Sequence, residues 1–238
     1  MSDIERITSN LLRGIARRRE ALVPVVVLGL LAFGAYVFLA IADEVAEGEI
    51  REFDELLFLA LRVADNPEQP LGPPWLEEAA LEITALGGYA LIILAVAVVT
   101  GLLIVTRRYG AALYTILTVS SGVLLSYFSK LYFARPRPDL VEHLDITHTA
   151  SFPSGHAVAI TVAYFTLAAL VIRFFDDLRV RIYVVCVAVA ISMLVGLSRI
   201  YLGVHWPSDV AAGWALGVAW ASLTWLLGSA LRFWRGSH

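Results

Sequence analysis

The sequence contains few charged residues, one lysine and one cysteine. Charged residues make up 16% of its 238 positions, and Lys130 and Cys186 are the single representatives of their types. One cysteine excludes an intrachain disulfide, and the place of Cys186 inside an apolar run predicts a packing role. The sequence has no convincing internal repeat or low-complexity segment, and no soluble basic face remains to bind nucleic acid. We therefore expect one domain over residues 1–238 and no nucleic-acid partner.

Apolar residues are abundant instead. Hydrophobic residues make up 59% of the chain, which is typical of a helical membrane protein. A membrane-spanning helix needs roughly 20 apolar residues. Six uncharged runs reach or approach this length, and we expect the fourth and fifth to extend into the polar residues that adjoin them. The sequence therefore predicts an all-α polytopic membrane protein with six transmembrane helices. The runs are Ala21–Ile41, Ile83–Thr106, Tyr109–Ser129, Ala157–Ile172, Ile182–Ser198 and Val210–Leu231.

The basic residues are distributed unevenly between the two sides of these six helices. Twelve of the eighteen fall on the side that holds both termini, and six fall on the other side. The positive-inside rule then predicts cytoplasmic termini for a protein of the inner (plasma) membrane. An alternative is a cleaved signal peptide ending near Ala42. The apolar run is longer than the roughly 7–15 residues of such a peptide, which favours a retained anchor.

The longest connection, residues 42–82, lies on the outer side in this topology. Within it, Ile50–Val63 alternates charged and apolar residues at helical spacing. Two interpretations fit this pattern: an interfacial helix on the outer leaflet, or an amphipathic strut that packs against the bundle. Four prolines follow, and the segment from Trp75 predicts a new helix that leads into the second span.

The first functional candidates are a histidine and an aspartate four positions apart, His205 and Asp209. Pro207 suits the first turn of a helix, which would place Asp209 one turn from His205. A carboxylate there accepts the imidazole N–H and makes the other ring nitrogen a better nucleophile. The alternative is an interfacial histidine beside an aspartate that the helix dipole favours.

A second polar block, Pro153 to His156, precedes a long apolar helix. Ser154 is a natural N-cap, and Gly155 lets the backbone approach a ligand at a helix start that favours anions. His156 lies in the same turn and could act as a general acid. The alternative is ordinary capping chemistry, with His156 at the water boundary. Two further histidines, His143 and His148, are expected to be solvated loop residues.

Three cations, Lys130, Arg137 and Arg199, lie beside the predicted ends of the third and fifth spans. If they converge on one outer pocket, they would neutralise phosphoryl oxygens. The alternatives are snorkelling for Lys130 and interfacial solvation for the two arginines. Arg135, between Lys130 and Arg137, is interpreted as a structural or rim charge. We expect the three polar blocks to lie together on the periplasmic or extracellular face.

In these blocks the chain resembles the type 2 phosphatidic acid phosphatase family, which is related to vanadium haloperoxidases. The family signatures K-x6-R-P, P-S-G-H and S-R-x5-H-x3-D are all present without departures. They run from Lys130 to Pro138, from Pro153 to His156 and from Ser198 to Asp209. The resemblance implies a haloperoxidase-like helical bundle, and the six spans exclude a soluble haloperoxidase.

The resemblance also implies a reaction: hydrolysis through a phosphohistidine, without metal or cofactor. Spacing alone leaves open which histidine is the nucleophile; the family pattern assigns this role to His205, oriented by Asp209. His156 would protonate the leaving oxygen and later activate water. The remaining motif residues would hold the phosphate: Lys130, Arg137, Ser154, Gly155 and Arg199.

An outward-facing site among helix ends suits a lipid phosphate whose tail stays in the membrane. The compact chain resembles the bacterial members of the family that act on undecaprenyl diphosphate or phosphatidylglycerol phosphate. Of these we favour undecaprenyl diphosphate as the substrate, with phosphatidylglycerol phosphate or phosphatidic acid as alternatives. A lipid phosphotransferase would instead shield the phosphohistidine from water. A lipid-phosphate binder or transporter would use the cations only for recognition, but transporters commonly place such sites at mid-membrane.

Overall fold

The computed structural model of the chain describes residues 3–145 and 149–235, with side chains described for 22–145 and 149–231. The described backbone is almost entirely helical, apart from one small hairpin of two short strands. The elements are α1 (Asp3–Glu47), α2 (Arg51–Leu59), β1 (Arg62–Val63), β2 (Asn66–Pro70), α3 (Pro74–Ala85), α4 (Tyr89–Val105), α5 (Tyr109–Phe133), α6 (Gly155–Phe174), α7 (Leu178–Tyr201) and α8 (Pro207–Arg235).

Five of the described helices are long and apolar enough to cross a membrane: α1 from Leu22 onward, α5, α6, α7 and α8. The sixth span is a pair of helices, α3 and α4, which meet at an angle of 45°. The expected all-α polytopic bundle is confirmed, but the second span is broken rather than continuous. Gly87 lies at the break, and a Cβ there would approach Val195 Cγ1 to 2.5 Å. A glycine therefore lets the break pack directly against α7.

Helix α8 is the centre of the bundle and packs closely on α6 and α1. Gly213 and Gly217 lie one turn apart on α8 and face α6; a Cβ on Gly213 would approach Ala157 Cβ to 2.7 Å. On the α1 side, a Cβ on Gly34 would come within 2.7 Å of the Ala215 carbonyl oxygen. Small residues let helix backbones approach in a membrane, where packing rather than water exclusion holds helices together. This packing holds the first turns of α6 and α8 side by side.

The alternative of a cleaved signal peptide places its cleavage site inside α1. Ala42 lies within the last turns of this helix and is buried in a cluster with Phe152 and Ala212. The end of helix α1 therefore packs against the bundle, and retention of this segment as an anchor stays a prediction.

The connection between α1 and α3 folds back onto the bundle. Helix α2 ends at Leu59, four residues before the predicted end, because the chain turns there into the β1–β2 hairpin. Asp54 and Phe58 on one face of α2 are fully buried, and Phe58 packs on Trp206 with ring centroids 5.7 Å apart. Leu56, on the opposite face, is 68% exposed. The strut interpretation therefore accounts for one face of α2, and an interfacial position suits the other.

Cys186 does not pack in the interior as expected. Its side chain is exposed on the surface of α7. In this helix the buried positions belong to the face that meets α6 and α3, and Cys186 lies outside that face.

Candidate active site

The three polar blocks meet at one end of the bundle. Lys130 lies in the last turn of α5, His156 in the first turn of α6 and Arg199 in the last turn of α7. Helix α8 begins at Pro207, as predicted, so Asp209 lies in its first turn. The predicted extension of the fourth and fifth spans into His156 and Arg199 is thus correct, and it brings both side chains to this end.

His205 and Asp209 are buried side by side. The imidazole Nδ1 lies 3.3 Å from Asp209 Oδ2, and Nε2 lies 3.4 Å from Arg137 Nη1. Since a carboxylate only accepts hydrogen bonds, this contact favours the tautomer with the proton on Nδ1. Nε2 then keeps its lone pair and faces the cations. Ser151 Oγ adds a third contact, 3.4 Å from Nδ1.

The Asp209 carboxylate is held on all sides. Its Oδ2 accepts from the backbone N–H of Trp206 at 3.0 Å and from the hydroxyl of Ser151. Its Oδ1 accepts from Arg135 Nη1 at 2.7 Å. Arg135 also donates from Nη2 to Asp54 Oδ2 at 2.7 Å. Arg135 is therefore a structural charge, as one of the sequence interpretations has it, and it connects α2 to the site.

Each of the three predicted cations has a fixed position. Lys130 is buried, and its Nζ donates to the carbonyl oxygens of Ala150 at 2.6 Å and Ser151 at 3.2 Å. Arg137 donates from Nε to the Thr149 carbonyl at 2.8 Å and from Nη1 to the Val204 carbonyl at 2.6 Å. Hydrogen bonds to neutral carbonyls do not neutralise either positive charge, so both cations remain attractive to an anion.

Arg199 differs from the other two because it has an acidic partner. Its Nη1 donates to Asp145 in an ion pair and to Thr84 Oγ1 at 3.0 Å. Its Nε is buried and has no hydrogen-bond partner within the described part of the chain. One edge of the guanidinium is therefore anchored, while a second donor remains for a ligand.

Burial and the three nearby cations act on His205 in the same direction. Burial, followed by the positive charges of Lys130, Arg137 and Arg199, lowers the pKa of His205 well below its ordinary value. Burial and then the charge of Arg199 lower the pKa of Arg137 to about 10. The imidazole is therefore neutral at physiological pH, the state that a nucleophile requires.

The first turn of α6 forms the opposite wall. A Cβ on Gly155 would approach the Tyr89 hydroxyl to 2.9 Å and Lys130 Cε to 3.3 Å, so only glycine fits without a shift. The His156 ring, partly exposed, lies 6.3 Å from the Tyr89 ring. Ser154 occupies the N-cap position, but its side chain makes no capping hydrogen bond. Capping therefore does not explain this hydroxyl.

Several buried polar atoms at this end have no hydrogen-bond partner among the described residues, and Ser154 Oγ, Arg199 Nε and Ser126 Oγ are among them. Ser126 lies on α5, and its Oγ is 3.8 Å from where a Cβ of Gly155 would be. An unsatisfied buried polar group costs roughly 1–3 kcal/mol. Unpaired donors beside three cations are the arrangement that a bound phosphate would satisfy.

The structure thus brings together every predicted site residue. His143 lies apart from this group, exposed, with Nε2 2.7 Å from the Pro138 carbonyl oxygen; His148 lies outside the described residues. Within the described part of the chain, no group of three or more His, Cys, Asp or Glu side chains is arranged to hold a metal ion. Sequence reasoning missed several contributors, which lie mostly outside the three blocks and have no fixed spacing from them: Asp54, Thr84, Tyr89, Ser126, Asp145 and Ser151.

Comparison with known proteins matches this geometry to one family. The profile of the PAP2 superfamily matches residues 85–233 of the chain. The chain is 28% identical over 186 residues to phosphatidylglycerophosphatase B of Bacillus subtilis (strain 168). The alignment covers 76% of this chain and 86% of that protein. It is also 33% identical over 134 residues to undecaprenyl-diphosphatase of Sulfolobus acidocaldarius. That alignment covers 52% of this chain and 58% of that protein.

A solved structure supports the same assignment. The crystal structure of a transmembrane PAP2 type phosphatidylglycerolphosphate phosphatase from Bacillus subtilis matches the fold with a TM-score of 0.75 at 27% sequence identity. The match covers 86% of this chain and 96% of that one. It therefore extends beyond the region that the superfamily profile matches.

Proposed function

This chain belongs to the PAP2 superfamily, and we propose that it hydrolyses a phosphate group on a membrane lipid through a phosphohistidine formed on His205. One observation carries the proposal. His205 has Nδ1 against the buried carboxylate of Asp209, while Nε2 faces a pocket of cations and unpaired donors. A histidine held in this way is an activated nucleophile beside an anion site.

In the first step, His205 Nε2 attacks phosphorus, so a P–N bond forms as the bond between phosphorus and the leaving oxygen breaks. The proton on Nδ1 stays, and Asp209 stabilises the positive charge that the ring gains. His156 gives its proton to the leaving oxygen, which departs as the dephosphorylated lipid. Lys130, Arg137 and Arg199 balance the charge on the equatorial oxygens.

In the second step, water attacks the phosphohistidine. His156, now neutral, takes a proton from that water, and the P–N bond breaks to release inorganic phosphate and restore His205. Substrate binding is assigned to the same three cations together with Ser154 and the backbone at Gly155. All charge stabilisation in this scheme comes from the protein, so full activity is expected in excess chelator; a strict metal requirement would contradict the scheme.

The candidate substrates are undecaprenyl diphosphate and a lipid phosphate monoester such as phosphatidylglycerol phosphate. The relative that aligns over 76% of the chain is named for the second, and one that aligns over 52% of it is named for the first. The two substrates differ in their leaving groups: a monoester releases a lipid alkoxide, and a diphosphate releases a lipid phosphate. The alkoxide needs protonation more than the phosphate does. His156→Ala should therefore slow monoester hydrolysis more than diphosphate hydrolysis. Equal losses would argue against His156 as the general acid.

The decisive experiment measures phosphate release from both lipids by purified protein in detergent, without a lipid acceptor. His205→Ala should abolish release while the protein keeps one cooperative thermal transition, which shows that it still folds; because the imidazole is buried, a change in the midpoint itself is compatible with this result. His143→Ala is the matched control and should keep wild-type activity, since His143 lies outside the site. Wild-type protein quenched in alkali should carry an acid-labile phosphate that His205→Ala lacks.

Two outcomes would replace the proposal. Phosphorylation of the wild-type protein without phosphate release would indicate a phosphotransferase that awaits a lipid acceptor. Lipid-phosphate binding without phosphorylation or release would indicate a binder or transporter.

We also propose that the site faces the periplasm or extracellular space, with both termini in the cytoplasm, because the arginines are concentrated on the other side. In a Cys186→Ser background, Asp65→Cys and Asp176→Cys place one thiol at each end of the bundle. A membrane-impermeant maleimide should label intact cells that carry Asp65→Cys and spare those with Asp176→Cys. The reverse pattern would invert the topology.

A further inference from the structure

The bundle has a second concave site, at the end opposite the candidate active site. A partly open cavity of about 900 Å³ lies between the start of α5 and the last turns of α6 and α8. Its volume is near the upper end of the roughly 300–1,000 Å³ typical of ligand sites. Its wall is mainly apolar, with Leu113, Leu117, Leu170, Trp225 and Leu227 among the lining side chains.

This cavity is separate from the catalytic cluster. Both involve helix α5, which has Tyr109 at the cavity and Lys130 at the cluster, 21 residues further on. At 1.5 Å per residue this separation is about 30 Å, equal to the hydrocarbon thickness of a bilayer. The cavity therefore opens toward the leaflet opposite the site of phosphate chemistry.

Three arginines line the cavity together with this apolar wall: Arg107 and Arg108 in the α4–α5 connection, and Arg173 near the end of α6. The guanidinium of Arg108 stacks on Phe174 at 3.8 Å from the ring centroid. Among the described residues that line the cavity, none is acidic. The cavity thus combines a net positive charge at the membrane boundary with an apolar interior.

These two properties match the two parts of one class of molecule. Basic pockets between transmembrane helices on the cytoplasmic side select anionic lipid headgroups, and each nearby arginine contributes about 1 kcal/mol. Arginine also pairs with phosphate through two parallel hydrogen bonds. We propose that this cavity binds an anionic phospholipid, with the acyl chains against the apolar wall and the phosphate beside Arg107 and Arg173.

An alternative explanation is that these features are common to membrane proteins in general. Arginines at cytoplasmic helix ends are common topology signals, and any lipid fills a groove on a membrane protein. The proposal differs from this explanation in two measurable ways. It requires a headgroup preference, and it assigns that preference to the arginines of the cavity rather than to others nearby.

Trp225 lines the cavity and gives a local signal that does not depend on activity. Purified protein in neutral detergent is titrated with phosphatidylglycerol or phosphatidylcholine that carries brominated acyl chains, which quench tryptophan on contact. The difference between wild type and Trp225→Phe isolates quenching at this cavity. Half-maximal quenching should require at least tenfold less phosphatidylglycerol than phosphatidylcholine, and salt should reduce the difference.

The arginine variants test the assignment. Arg107→Gln and Arg173→Gln should each weaken the phosphatidylglycerol response about fivefold and leave the phosphatidylcholine response unchanged. Arg179→Gln is the matched control, because Arg179 is exposed at the start of α7 and does not line the cavity. Unchanged unfolding midpoints would establish that the variants fold.

Equal quenching by the two lipids in wild type would overturn the proposal and leave the cavity as a groove for bulk lipid. An Arg179→Gln loss as large as that of Arg107→Gln would overturn it as well, because the preference would then come from the charge of the whole surface. Either result leaves the phosphatase proposal unaffected, since this measurement reports only on the far end of the bundle.

Discussion

Arg135 donates to Oδ1 of Asp209 over 2.7 Å, while Oδ2 of the same carboxylate faces His205. The same guanidinium donates to Asp54 on α2, so one arginine lies between two buried carboxylates. A buried cation between two carboxylates stabilises the fold only where hydrogen bonds fix the positions of all three groups. This arrangement predicts that Arg135 positions Asp209.

Asp54→Asn should reduce both stability and turnover. The change removes one charge from a fully buried pair, and breaking such a pair typically costs about 3–5 kcal/mol. Arg135 would then be free to shift, and a displacement of about 1 Å at Asp209 costs on the order of 100-fold in rate. Chemical denaturation and phosphate release measure the two effects. We expect kcat to fall while KM changes little.

Arg51→Gln on the same helix is the control for this substitution, since Arg51 is exposed and its ion pairs among the described residues are with Glu55 and Asp139. It should leave both measurements at wild-type values. A stability loss in Asp54→Asn without any change in kcat would reduce Arg135 to a purely structural role.

Asp209→Asn should slow turnover by on the order of 10⁴-fold, as loss of the orienting carboxylate does in serine hydrolases. The physical reason is the tautomer. An amide can donate to Nδ1, which moves the imidazole proton to Nε2 and removes the lone pair that attacks phosphorus in the proposed mechanism. Phosphoenzyme formation, measured in single-turnover experiments, should fall by the same factor. Asp139→Asn, an exposed change in the neighbouring loop, should have no effect.

The activity should persist at mildly acidic pH, because burial, followed by the charges of the nearby cations, depresses the pKa of His205. Arg137 is one of those cations, so Arg137→Gln should raise this pKa and move the acid limb of kcat/KM to higher pH, besides lowering the rate. A profile of kcat/KM between about pH 4.5 and 8, normalised to its plateau, measures the shift. If the acid limb of the profile stays at the same pH in Arg137→Gln, it reports the titration of a group other than His205.

The same depressed pKa affects stability in a defined direction. Below about pH 6.5 the unfolded chain protonates His205 while the folded state does not, so the unfolded state binds more protons. The free energy of unfolding should therefore fall as the pH drops below this value. In His205→Ala this contribution should be absent, which a comparison of denaturation curves at pH 7 and pH 5 tests.

Inorganic phosphate should stabilise the folded protein, because it supplies acceptors for the unpaired donors of the site. Ser154→Ala should raise the stability of the free protein by about 1 kcal/mol by removing a buried unsatisfied hydroxyl. It should also reduce the shift in unfolding midpoint that phosphate produces.

Ser192→Ala is the matched control. Ser192 Oγ on α7 is likewise buried without a partner, but Ser192 is not part of the site motifs. This variant should also gain stability yet keep the full response to phosphate. Equal phosphate responses in both variants would show that Ser154 does not contact the anion.

The sequence was most informative where polar residues interrupt apolar runs. His205, Asp209, His156 and the three cations stand out because such groups are costly near a bilayer, and their positions at helix ends follow from the lengths of the spans. The helix starts at Gly155 and Pro207 follow from local rules as well.

Contacts between distant segments were not predictable in the same way. Asp54 belongs to a connection rich in acidic residues, and nothing in its local pattern separates it from its exposed neighbours. Its partner Arg135 lies 81 positions away, and only the fold pairs them. The break in the second span was hidden for a related reason: Gly87 and Gly88 lie in an uncharged run, where composition alone favours a continuous helix.

The bond between Asp54 and Arg135 also bears on how this protein could be divided. The superfamily match begins at residue 85, yet the carboxylate that holds Arg135 lies more than thirty positions earlier. A fragment cut to the matched region would contain every signature residue and still leave Arg135 with one carboxylate instead of two. The region that the superfamily profile matches and the smallest active fragment should therefore have different boundaries. A shortened version of this protein should keep α2.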